Sequence, residues 1–266
     1  MKKPFLIRIA PASLRARLFH RFYKKQACTR SDLFEAAPLH FAPNVKMRLQ
    51  PTDTSHGYIA FAGYHELDLT RRMVAHSKTG GLLVDVGANY GYYSLLWAAA
   101  RQANRAIAFE ASSRAFSGLQ ENIGLNNFGS QIAAHPLAVG RSPGRLCFEI
   151  GPIDQTSWGG ITLQNSASAV EVDVTTLDAY FAGDEIIHVL KIDVEGADTW
   201  VLQGAERLLA HAQIKQIYFE QNKVRMKDLG IRAEDALEFL NALDYVVKPI
   251  GNPASHLVEY SAHPQQ

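Results

Sequence analysis

The chain has few of the residues that hold together secreted and membrane-embedded proteins. Its two cysteines in 266 residues form no Cys-x-x-Cys motif and give no sign of a disulfide framework. The apolar runs fall well short of the roughly 18 residues that a membrane-spanning helix needs. A His-Glu-x-x-His motif and a pair of histidines at helical spacing are both absent, so we expect no bound metal. Together these absences predict a protein of the reducing cytoplasm.

Acidic side chains are missing from residues 1–31, which contain nine lysines and arginines. The rest of the chain contains 18 basic and 26 acidic residues, so it is acidic and offers no basic groove for nucleic acid. Residues 12–25 predict a basic amphipathic helix, which can pack its apolar stripe on the domain or lie on an anionic membrane surface. We therefore divide the chain into a basic extension or cap, residues 1–65, and a domain, residues 66–266.

The segment over residues 82–91 carries the strongest signal for function. Its apolar run ends in Asp85 and passes into a glycine-rich turn, the arrangement by which a parallel strand presents a nucleotide-like cofactor. The dinucleotide fingerprint requires glycine where Asn89 and Tyr92 stand, and Asp85 would repel a pyrophosphate. The same acid attracts the sulfonium and ammonium groups of S-adenosylmethionine (SAM), so the turn predicts SAM rather than NAD. The predicted cofactor-binding residues of this segment are Asp85, Gly87, Ala88, Asn89 and Gly91.

A second acid closes the next apolar run. Glu110 follows Asp85 by 25 residues, and an acid at this distance binds the ribose of a nucleotide-like cofactor. A carboxylate accepts hydrogen bonds from both hydroxyls of a cis-diol. We therefore expect Glu110 to bind the ribose of SAM.

Strand and helix patterns alternate from residue 82 onward. This alternation predicts an α/β fold whose mostly parallel sheet is covered by helices on both faces. The predicted strands are residues 82–86, 106–110, 132–139, 186–193 and 214–220. The predicted helices are residues 66–79, 92–103, 113–126, 197–210 and 233–243. Residues 26–65 contain three prolines and are predicted to be irregular, whereas residues 245–250 and 256–261 predict a C-terminal hairpin.

Two further extended runs, over residues 145–150 and 170–175, interrupt this alternation, and the stretch over residues 151–168 lies between them. It is rich in glycine, serine, threonine and asparagine, and it contains Trp158. Such an insertion predicts a lid or a substrate loop, so Trp158 is a candidate substrate contact.

The fourth strand carries the candidate catalytic groups. Lys191, Asp193 and Glu195 alternate with apolar residues, so they share one face near the carboxyl end, where open α/β sheets place their active sites. Glu220 ends the fifth strand in the same way. Asp193 is the first candidate for a general base, followed by Glu220 and then by His65, while Glu195 is a candidate substrate contact. A structural lysine–carboxylate pair, and a metal held by Asp193, Glu195 and Glu220, are the alternatives.

Four motifs resemble the FkbM family of SAM-dependent methyltransferases. They are VDVGANYGYYS from residue 84, TTLD from residue 175, KIDVEGAD with VLQGAERLL from residue 191, and YFEQN from residue 218. The resemblance covers about residues 82–248 and implies a seven-stranded Rossmann-like fold with a C-terminal hairpin. It also implies methyl transfer, typically to oxygen on sugars or polyketides. It places Asp85, Gly87, Asn89 and Gly91 in the SAM loop, Glu110 at the ribose, and Lys191, Asp193, Glu195 and Gly196 in the family's fourth-strand motif.

We therefore predict a SAM-dependent O-methyltransferase that acts on a hydroxyl of a carbohydrate or another secondary metabolite. Nucleic-acid methylation is a rival, but the fourth strand lacks the Asn/Asp-Pro-Pro-aromatic motif and the chain lacks a basic groove. A non-catalytic SAM-binding scaffold, in which the strand-end acids are structural, is a second rival. The predicted partners are a small-molecule or glycan acceptor and, through residues 12–25, an anionic membrane; no nucleic acid is expected.

Overall fold

The computed structural model describes residues 3–152, 154–163 and 169–265. The strands are β1 (Ala37–Pro38), β2 (Lys46–Met47), β3 (Leu82–Val86), β4 (Arg105–Phe109), β5 (Ile132–His135), β6 (Ala138–Val139), β7 (Gly144–Glu149), β8 (Gly160–Ile161), β9 (Ala169–Thr175), β10 (Val189–Ile192), β11 (Ile217–Asn222), β12 (Tyr245–Ile250) and β13 (Leu257–Pro264). The helices are α1 (Phe5–Ile9), α2 (Ala12–Leu18), α3 (Asp32–Glu35), α4 (Thr54–Ala62), α5 (Leu67–Thr79), α6 (Tyr92–Ala100), α7 (Ser113–Leu125), α8 (Leu177–Tyr180), α9 (Asp198–Gln203), α10 (Glu206–Ala210), α11 (Lys223–Asp228) and α12 (Asp235–Ala242).

The centre of the molecule is a seven-stranded sheet with the order β12-β13-β11-β10-β3-β4-β5. All neighbouring strands in it are parallel except β13, which is antiparallel to both β11 and β12. This arrangement confirms the predicted seven-stranded Rossmann-like fold and its C-terminal hairpin. The chain runs outward from β3 through β4 to β5 and returns to β10 on the other side of β3. The crevice between β3 and β10 is therefore the topological switch point, where such sheets bind their ligands.

The central strands are apolar because both faces of the sheet are covered. Leu83 packs with α5, α6 and α7 on one face, while Val84 packs with α9, α10 and α12 on the other. The side chains of β10 alternate in the same way, and all four of its residues are buried. Strands buried on both sides carry the continuous apolar runs from which they were predicted.

A second sheet lies apart from the first. The extended runs predicted over residues 145–150 and 170–175 are its strands β7 and β9, but their pairing into a separate sheet was not predicted. It has four strands in the order β6-β9-β7-β8, with β7 antiparallel to both of its neighbours. The single strand predicted over residues 132–139 is wrong, because β5 ends before Pro136, which cannot donate to a ladder. The chain then continues as β6 in the second sheet. The predicted loop over residues 151–168 contains β8, and its residues 153 and 164–168 lie outside the described residues.

The helix predicted over residues 197–210 is two helices, α9 and α10. A Cβ atom on Gly204, between them, would overlap the carbonyl oxygen of Gly140. The carboxylate of Asp178 accepts hydrogen bonds from the amides of Arg207 and Leu208 at 2.8 and 3.0 Å. These two amides belong to the first turn of α10, so Asp178 caps the second helix from a distant part of the chain.

The N-terminal extension is more regular than its sequence suggests. The predicted helix over residues 12–25 is α-helical only to Leu18 and continues as a π-helical turn and a 3₁₀ helix. Residues 26–65, predicted to be irregular, contain α3 and α4. Helix α4 begins where Asp53 accepts a hydrogen bond from the amide of His56, and it ends at Gly63, whose φ is 87°. An aspartate cap followed by a terminal glycine is a helix signal that could have been found in the sequence.

The extension shares its core with the sheet. Phe19 is fully buried, and its ring lies 4.9 Å from that of Phe61 and 5.0 Å from that of Tyr58. Residues of α1, α3 and α4 belong to the same apolar cluster as Leu83 and Trp97. The domain boundary at residue 65 stays a prediction.

Among the described residues, no helix has both the length and the apolar character needed to cross a membrane.

Candidate active site

The turn between β3 and α6 contains three residues with positive φ. Gly87, Asn89 and Gly91 have φ values of 74°, 50° and 87°. The amide of Gly87 donates to the carbonyl of Phe109 at 2.9 Å, which ties the turn to the end of β4. A Cβ atom on Gly87 would overlap the carbonyl oxygen of Asp193. Glycine is therefore needed at this position for the ends of β3 and β10 to approach each other.

Glu110 connects this turn to the end of β4. Its carboxylate accepts hydrogen bonds from the amides of Asn89 and Ser112 at 2.8 and 2.7 Å. Burial raises the pKa of Glu110 to about 7, although both hydrogen bonds favour the charged form. The predicted ribose acid is thus held by the backbone of the predicted cofactor turn.

Glu110 lines a cavity of about 610 Å³, which we call the β4 cavity. Its walls come from the ends of β3, β4 and β10, from residues 137–139 and from residues 156–161. Many of the lining side chains are apolar, including those of Phe109, Phe148 and Ile161.

A buried aspartate of the extension anchors the segment over residues 156–161. Asp53 Oδ2 accepts hydrogen bonds from the amide and the hydroxyl of Thr156, both at 2.7 Å. Arg225 also holds this segment, since it donates to the carbonyl of Trp158 at 3.1 Å. The side chain of Trp158 is 60% exposed and lines none of the cavities described for this site, whereas its two chain neighbours line the β4 cavity. Its predicted contact with substrate stays a prediction.

Asp85 and Lys191 form a buried pair beneath the turn. Asp85 Oδ2 accepts a hydrogen bond from the hydroxyl of Ser94 at 2.7 Å, and its Oδ1 lies 3.7 Å from Lys191 Nζ. Burial raises the pKa of Asp85, and the charge of Lys191 opposes that rise. Asp85 is fully buried and lines none of the cavities of the site. Its predicted contact with the cofactor's cationic groups stays a prediction.

Lys191 is a fixed cation. Its ammonium lies 3.2 Å from Asp193 Oδ2 and 3.3 Å from the carbonyl oxygen of Gly87, and 5.4 Å from the centre of the Tyr93 ring. Burial opposes the charge of Lys191, but Asp193 and Asp85 outweigh it and raise its pKa above the ordinary value. A lysine in this state holds neighbouring carboxylates in place and cannot accept a proton.

His65 lies beside a carboxylate that the sequence analysis did not select. Its Nε2 is 3.1 Å from Glu66 Oε1, and the hydroxyl of Tyr93 donates to Glu66 Oε2 at 2.8 Å. Burial opposes ionisation of Glu66, but His65 and Lys191 hold its pKa at about 2. Burial also opposes the charged form of His65, and Glu66 outweighs it, so the pKa of His65 is raised. Glu66 itself has a φ of 38°, a strained backbone of the kind often found at functional sites.

His65 lines a second cavity, of about 460 Å³, which we call the α4 cavity. Helix α4 contributes Ser55, His56 and Ile59 to its wall, and the turn after β3 contributes Ala88 and Asn89. The extension and the cofactor turn therefore face each other across this space.

A third cavity, of about 270 Å³, lies beside β11 and is called the β11 cavity. Glu220 and Glu259 face each other across the antiparallel pair of β11 and β13 and both line it, together with Glu66. Burial and the neighbouring carboxylates raise the pKa of Glu220 to about 10 and that of Glu259 to about 7. Two facing carboxylates destabilise a strand pair when both are charged, so Glu220 keeps its proton at neutral pH.

Glu195 lies outside these three cavities. Its carboxylate accepts a hydrogen bond from the side-chain amide of Asn222 at 2.9 Å, and its φ is 53°. Burial, with the charge of Asp193, raises the pKa of Glu195 to about 7. Its predicted substrate role stays a prediction.

Asp193 connects the three cavities, and it is the only described residue that lines all of them. Its carboxylate is held by Lys191 at 3.2 Å. Among the described residues, no three His, Cys, Asp or Glu side chains converge in a way that would hold a metal ion. The alternative metal site of Asp193, Glu195 and Glu220 is therefore not formed among the described residues.

Comparison with known families gives one match over most of the site. A family profile described as "Methyltransferase FkbM domain" matches residues 85–247. A curated relative, Methyltransferase 1 of Beauveria bassiana (strain ARSEF 2860), is 30% identical over 155 residues, which is 50% of this chain and 61% of the relative. The match thus spans less than two thirds of that relative's length.

Solved structures at low identity are also similar to the chain. Precorrin-6y C5,15-methyltransferase from Geobacter metallireducens GS-15 is 9% identical with a TM-score of 0.44, over 75% of this chain and 88% of that one. A putative rRNA-methylase from Clostridium thermocellum is 11% identical with a TM-score of 0.46, over 74% of this chain and 96% of that one. At these TM-scores neither similarity identifies a substrate.

Proposed function

We propose that this chain, which belongs to the FkbM family of methyltransferases, methylates a hydroxyl oxygen of a carbohydrate or another secondary metabolite. SAM is its methyl donor, and when bound it supplies an electrophilic methyl group on a sulfonium. The donor fits the β4 cavity by chemistry: apolar walls for an adenine, and a carboxylate, Glu110, at the position of a ribose acid. We assign the donor to the β4 cavity, which we call the donor half, and the acceptor to the α4 and β11 cavities, the acceptor half.

The position of Asp193 carries this proposal. Because it lines the donor half and both cavities of the acceptor half, a donor and an acceptor bound there meet at its carboxylate. Holding the acceptor oxygen in line with the methyl group, at roughly 3–3.5 Å, is the main contribution that a protein makes to such a displacement. Lys191 fixes the carboxylate of Asp193, so the junction between the halves is rigid.

The acceptor hydroxyl must lose its proton as the new C–O bond forms. We assign that proton to Asp193, whose carboxylate reaches both halves. His65, oriented by Glu66 through a 3.1 Å contact, is the second candidate and faces the same turn. General-base assistance of this kind contributes about 10²–10⁴-fold to the rate. We do not assign the proton to Glu220, the second choice from the sequence, because a carboxyl with a pKa of about 10 is protonated at neutral pH.

The charge of the acceptor half favours a neutral acceptor. The β11 cavity is lined by Glu66, Asp193, Glu220 and Glu259, against the one cation Lys191 among its lining residues. A carboxylate or phosphate acceptor would be repelled there, whereas the hydroxyls of a sugar can donate hydrogen bonds to these acids. Tyr218 and Tyr260 also line the cavity. For the same reason a nucleic acid, with its phosphates, is a poor fit.

The working compartment that we propose is the cytoplasm. The two cysteines, Cys28 and Cys147, are both free thiols in the structure. Free thiols persist where glutathione and thioredoxin keep them reduced.

The proposal is tested with SAM carrying a labelled methyl group. The protein is incubated separately with neutral oligosaccharides, with a lipid extract and with total RNA, and we expect label in the carbohydrate-containing fractions. A methyl ether keeps its label after mild alkali, whereas a methyl ester loses it. Asp193→Asn should abolish incorporation, while Asp173→Asn, an exposed acid of the second sheet, should not. Label in RNA alone, or no release of S-adenosylhomocysteine with any acceptor, would contradict O-methylation.

A further inference from the structure

The first two helices expose apolar side chains that a buried core would normally hold. Twelve large apolar residues among those described are exposed, and five of them lie between residues 5 and 22. They are Phe5, Leu6, Ile9, Leu14 and Phe22, and their exposed fractions run from 43% to 68%. Scattered single residues of this kind are ordinary, but a cluster of this density marks an interaction surface.

The extension packs on the domain through other side chains than these exposed ones. The inward side of the same helices is already used, since Ile7 and Phe19 are buried in the core. Leu14 and Phe22, by contrast, are 44% and 50% exposed. The extension therefore has two apolar faces, of which one packs on the domain and one is open.

The open face is also strongly basic. Arg8, Arg17, Arg21, Lys24 and Lys25 are exposed in the same segment, and the guanidinium of Arg21 lies 5.6 Å from the centre of the exposed Phe22 ring. None of these five forms a salt bridge with any described residue. No acidic residue occurs before Asp32. A second copy of the chain docking through the same face would bring five more positive charges against these, so self-association through it is disfavoured.

We propose that this face, the exposed side chains of residues 5–25, binds the surface of an anionic lipid bilayer. Apolar side chains interleaved with lysine and arginine are the composition of helices that lie in the plane of a membrane, with the apolar groups at the headgroup boundary and the cations on the phosphates. The contact is peripheral. This face differs from the segment predicted over residues 12–25. It excludes the fully buried Phe19, and it adds helix α1.

The open face of the extension lies near the proposed acceptor half. Helix α2 packs on α4, and α4 supplies Ser55, His56 and Ile59 to the wall of the α4 cavity. Helices α2 and α4 thus both lie between the bilayer and the cavity, a thickness of roughly 20 Å. If the proposed O-methylation is correct, an acceptor carried on a lipid is presented at the right side of the enzyme. Binding to the bilayer does not depend on that reaction and can be tested alone.

The test is co-sedimentation of the full-length protein with vesicles. Vesicles of phosphatidylcholine alone are compared with vesicles containing about 30% phosphatidylglycerol, at about 0.05 M and 0.5 M sodium chloride, where screening differs strongly. We expect binding to the anionic vesicles at low salt, and at least tenfold weaker binding to the neutral vesicles or at high salt. The double variant Phe5→Ser/Ile9→Ser should reduce binding at least tenfold, and Arg17→Glu/Arg21→Glu at least as much.

The matched control is Val224→Ser/Leu257→Ser, which removes two exposed apolar residues far along the chain and should leave vesicle binding unchanged. Affinity for S-adenosylhomocysteine, within threefold of wild type in every variant, shows that the fold is intact. Three results would overturn the proposal: no sedimentation with anionic vesicles, equal losses in the control, or a dimer in solution that Phe5→Ser/Ile9→Ser dissociates.

Discussion

The donor half and the acceptor half hold their charged groups in different ways. In the donor half the carboxylate of Glu110 accepts hydrogen bonds from two backbone amides that come from the turns beside it. In the acceptor half Glu66, Asp193, Glu220 and Glu259 are gathered around one buried lysine. The first arrangement is fixed by the backbone, while the second depends on which carboxyls are charged.

This difference separates binding from turnover. A site built on backbone amides keeps its shape when a distant side chain changes, so donor affinity should depend on the few residues of the turn and on Glu110. A site built on coupled carboxyls changes with pH and with every substitution among them. Substitutions in the acceptor half should therefore alter turnover and stability more than they alter donor affinity.

The largest effect is expected at the point where the halves touch. Gly87→Ala forces a Cβ atom onto the carbonyl of Asp193, at a φ of 74°, and should weaken binding of S-adenosylhomocysteine by at least about 10²-fold. Calorimetric titration checks this. Gly124→Ala is the control, because a Cβ atom there meets nothing within 4 Å. Equal affinity of the two variants would show that the approach of β3 to β10 is not needed for binding.

The second-largest effect is expected at Asp193, where the two halves meet. Asp193→Asn keeps the shape of the side chain and removes its charge, so turnover should fall by at least about 10²-fold while affinity for S-adenosylhomocysteine stays within a few-fold. Labelled-methyl transfer and calorimetry on the same sample give the two values. If turnover survives in Asp193→Asn and is lost in His65→Asn, the proton goes to His65 instead.

A smaller effect concerns pH and the acceptor half. Unfolded Glu220 ionises near 4.5, whereas burial and its acidic neighbours raise the folded pKa to about 10. Between pH 4.5 and pH 10 the Glu220 carboxyl is protonated in the folded protein and charged in the unfolded chain. The free energy of unfolding therefore falls as pH rises through this range. Glu220→Gln removes the titration and should make the protein more stable than wild type at about pH 8, by roughly 1–2 kcal/mol, with little difference near pH 4.5.

Urea denaturation at both pH values measures this difference. Glu185→Gln, at an exposed position, is the control and should show no pH-dependent gain. A loss of stability in Glu220→Gln at pH 8 would mean that Glu220 is charged in the folded protein.

The smallest effect is expected at the wall of the donor half. Asp53→Asn still caps α4 but turns an amide toward the two donors of Thr156, so the segment over residues 156–161 loses its anchor. Affinity for S-adenosylhomocysteine should fall about threefold to fivefold, the effect of about one neutral hydrogen bond. Thr156→Val, which loses only the hydroxyl donor, should fall less. An unchanged affinity in both variants would mean that this segment does not hold the donor.

The contrast between the halves also explains what could be predicted from the sequence. The turn after β3 and Glu110 follow each other within one strand–helix–strand unit, so their spacing alone predicts where they lie. The acceptor half joins residues of the extension, β10, β11 and β13, and no local pattern reports that Glu259 faces Glu220 or that Glu66 orients His65. The burial of Asp85 beneath the turn has no local signal for a related reason, since it depends on Ser94 and Lys191.

The separation of the two halves is tested most directly by titrating S-adenosylhomocysteine into Glu110→Gln and Glu66→Gln at about pH 8, where both wild-type carboxyls are charged. Removing the donor-half carboxylate should weaken binding by about tenfold or more, because a charge-assisted contact is worth roughly 1.5–3 kcal/mol. Removing the acceptor-half carboxylate should leave the affinity within about threefold of wild type, since its partners are His65 and Tyr93. Equal losses in both variants, or a larger loss in Glu66→Gln, would contradict a donor site that is independent of the acceptor half.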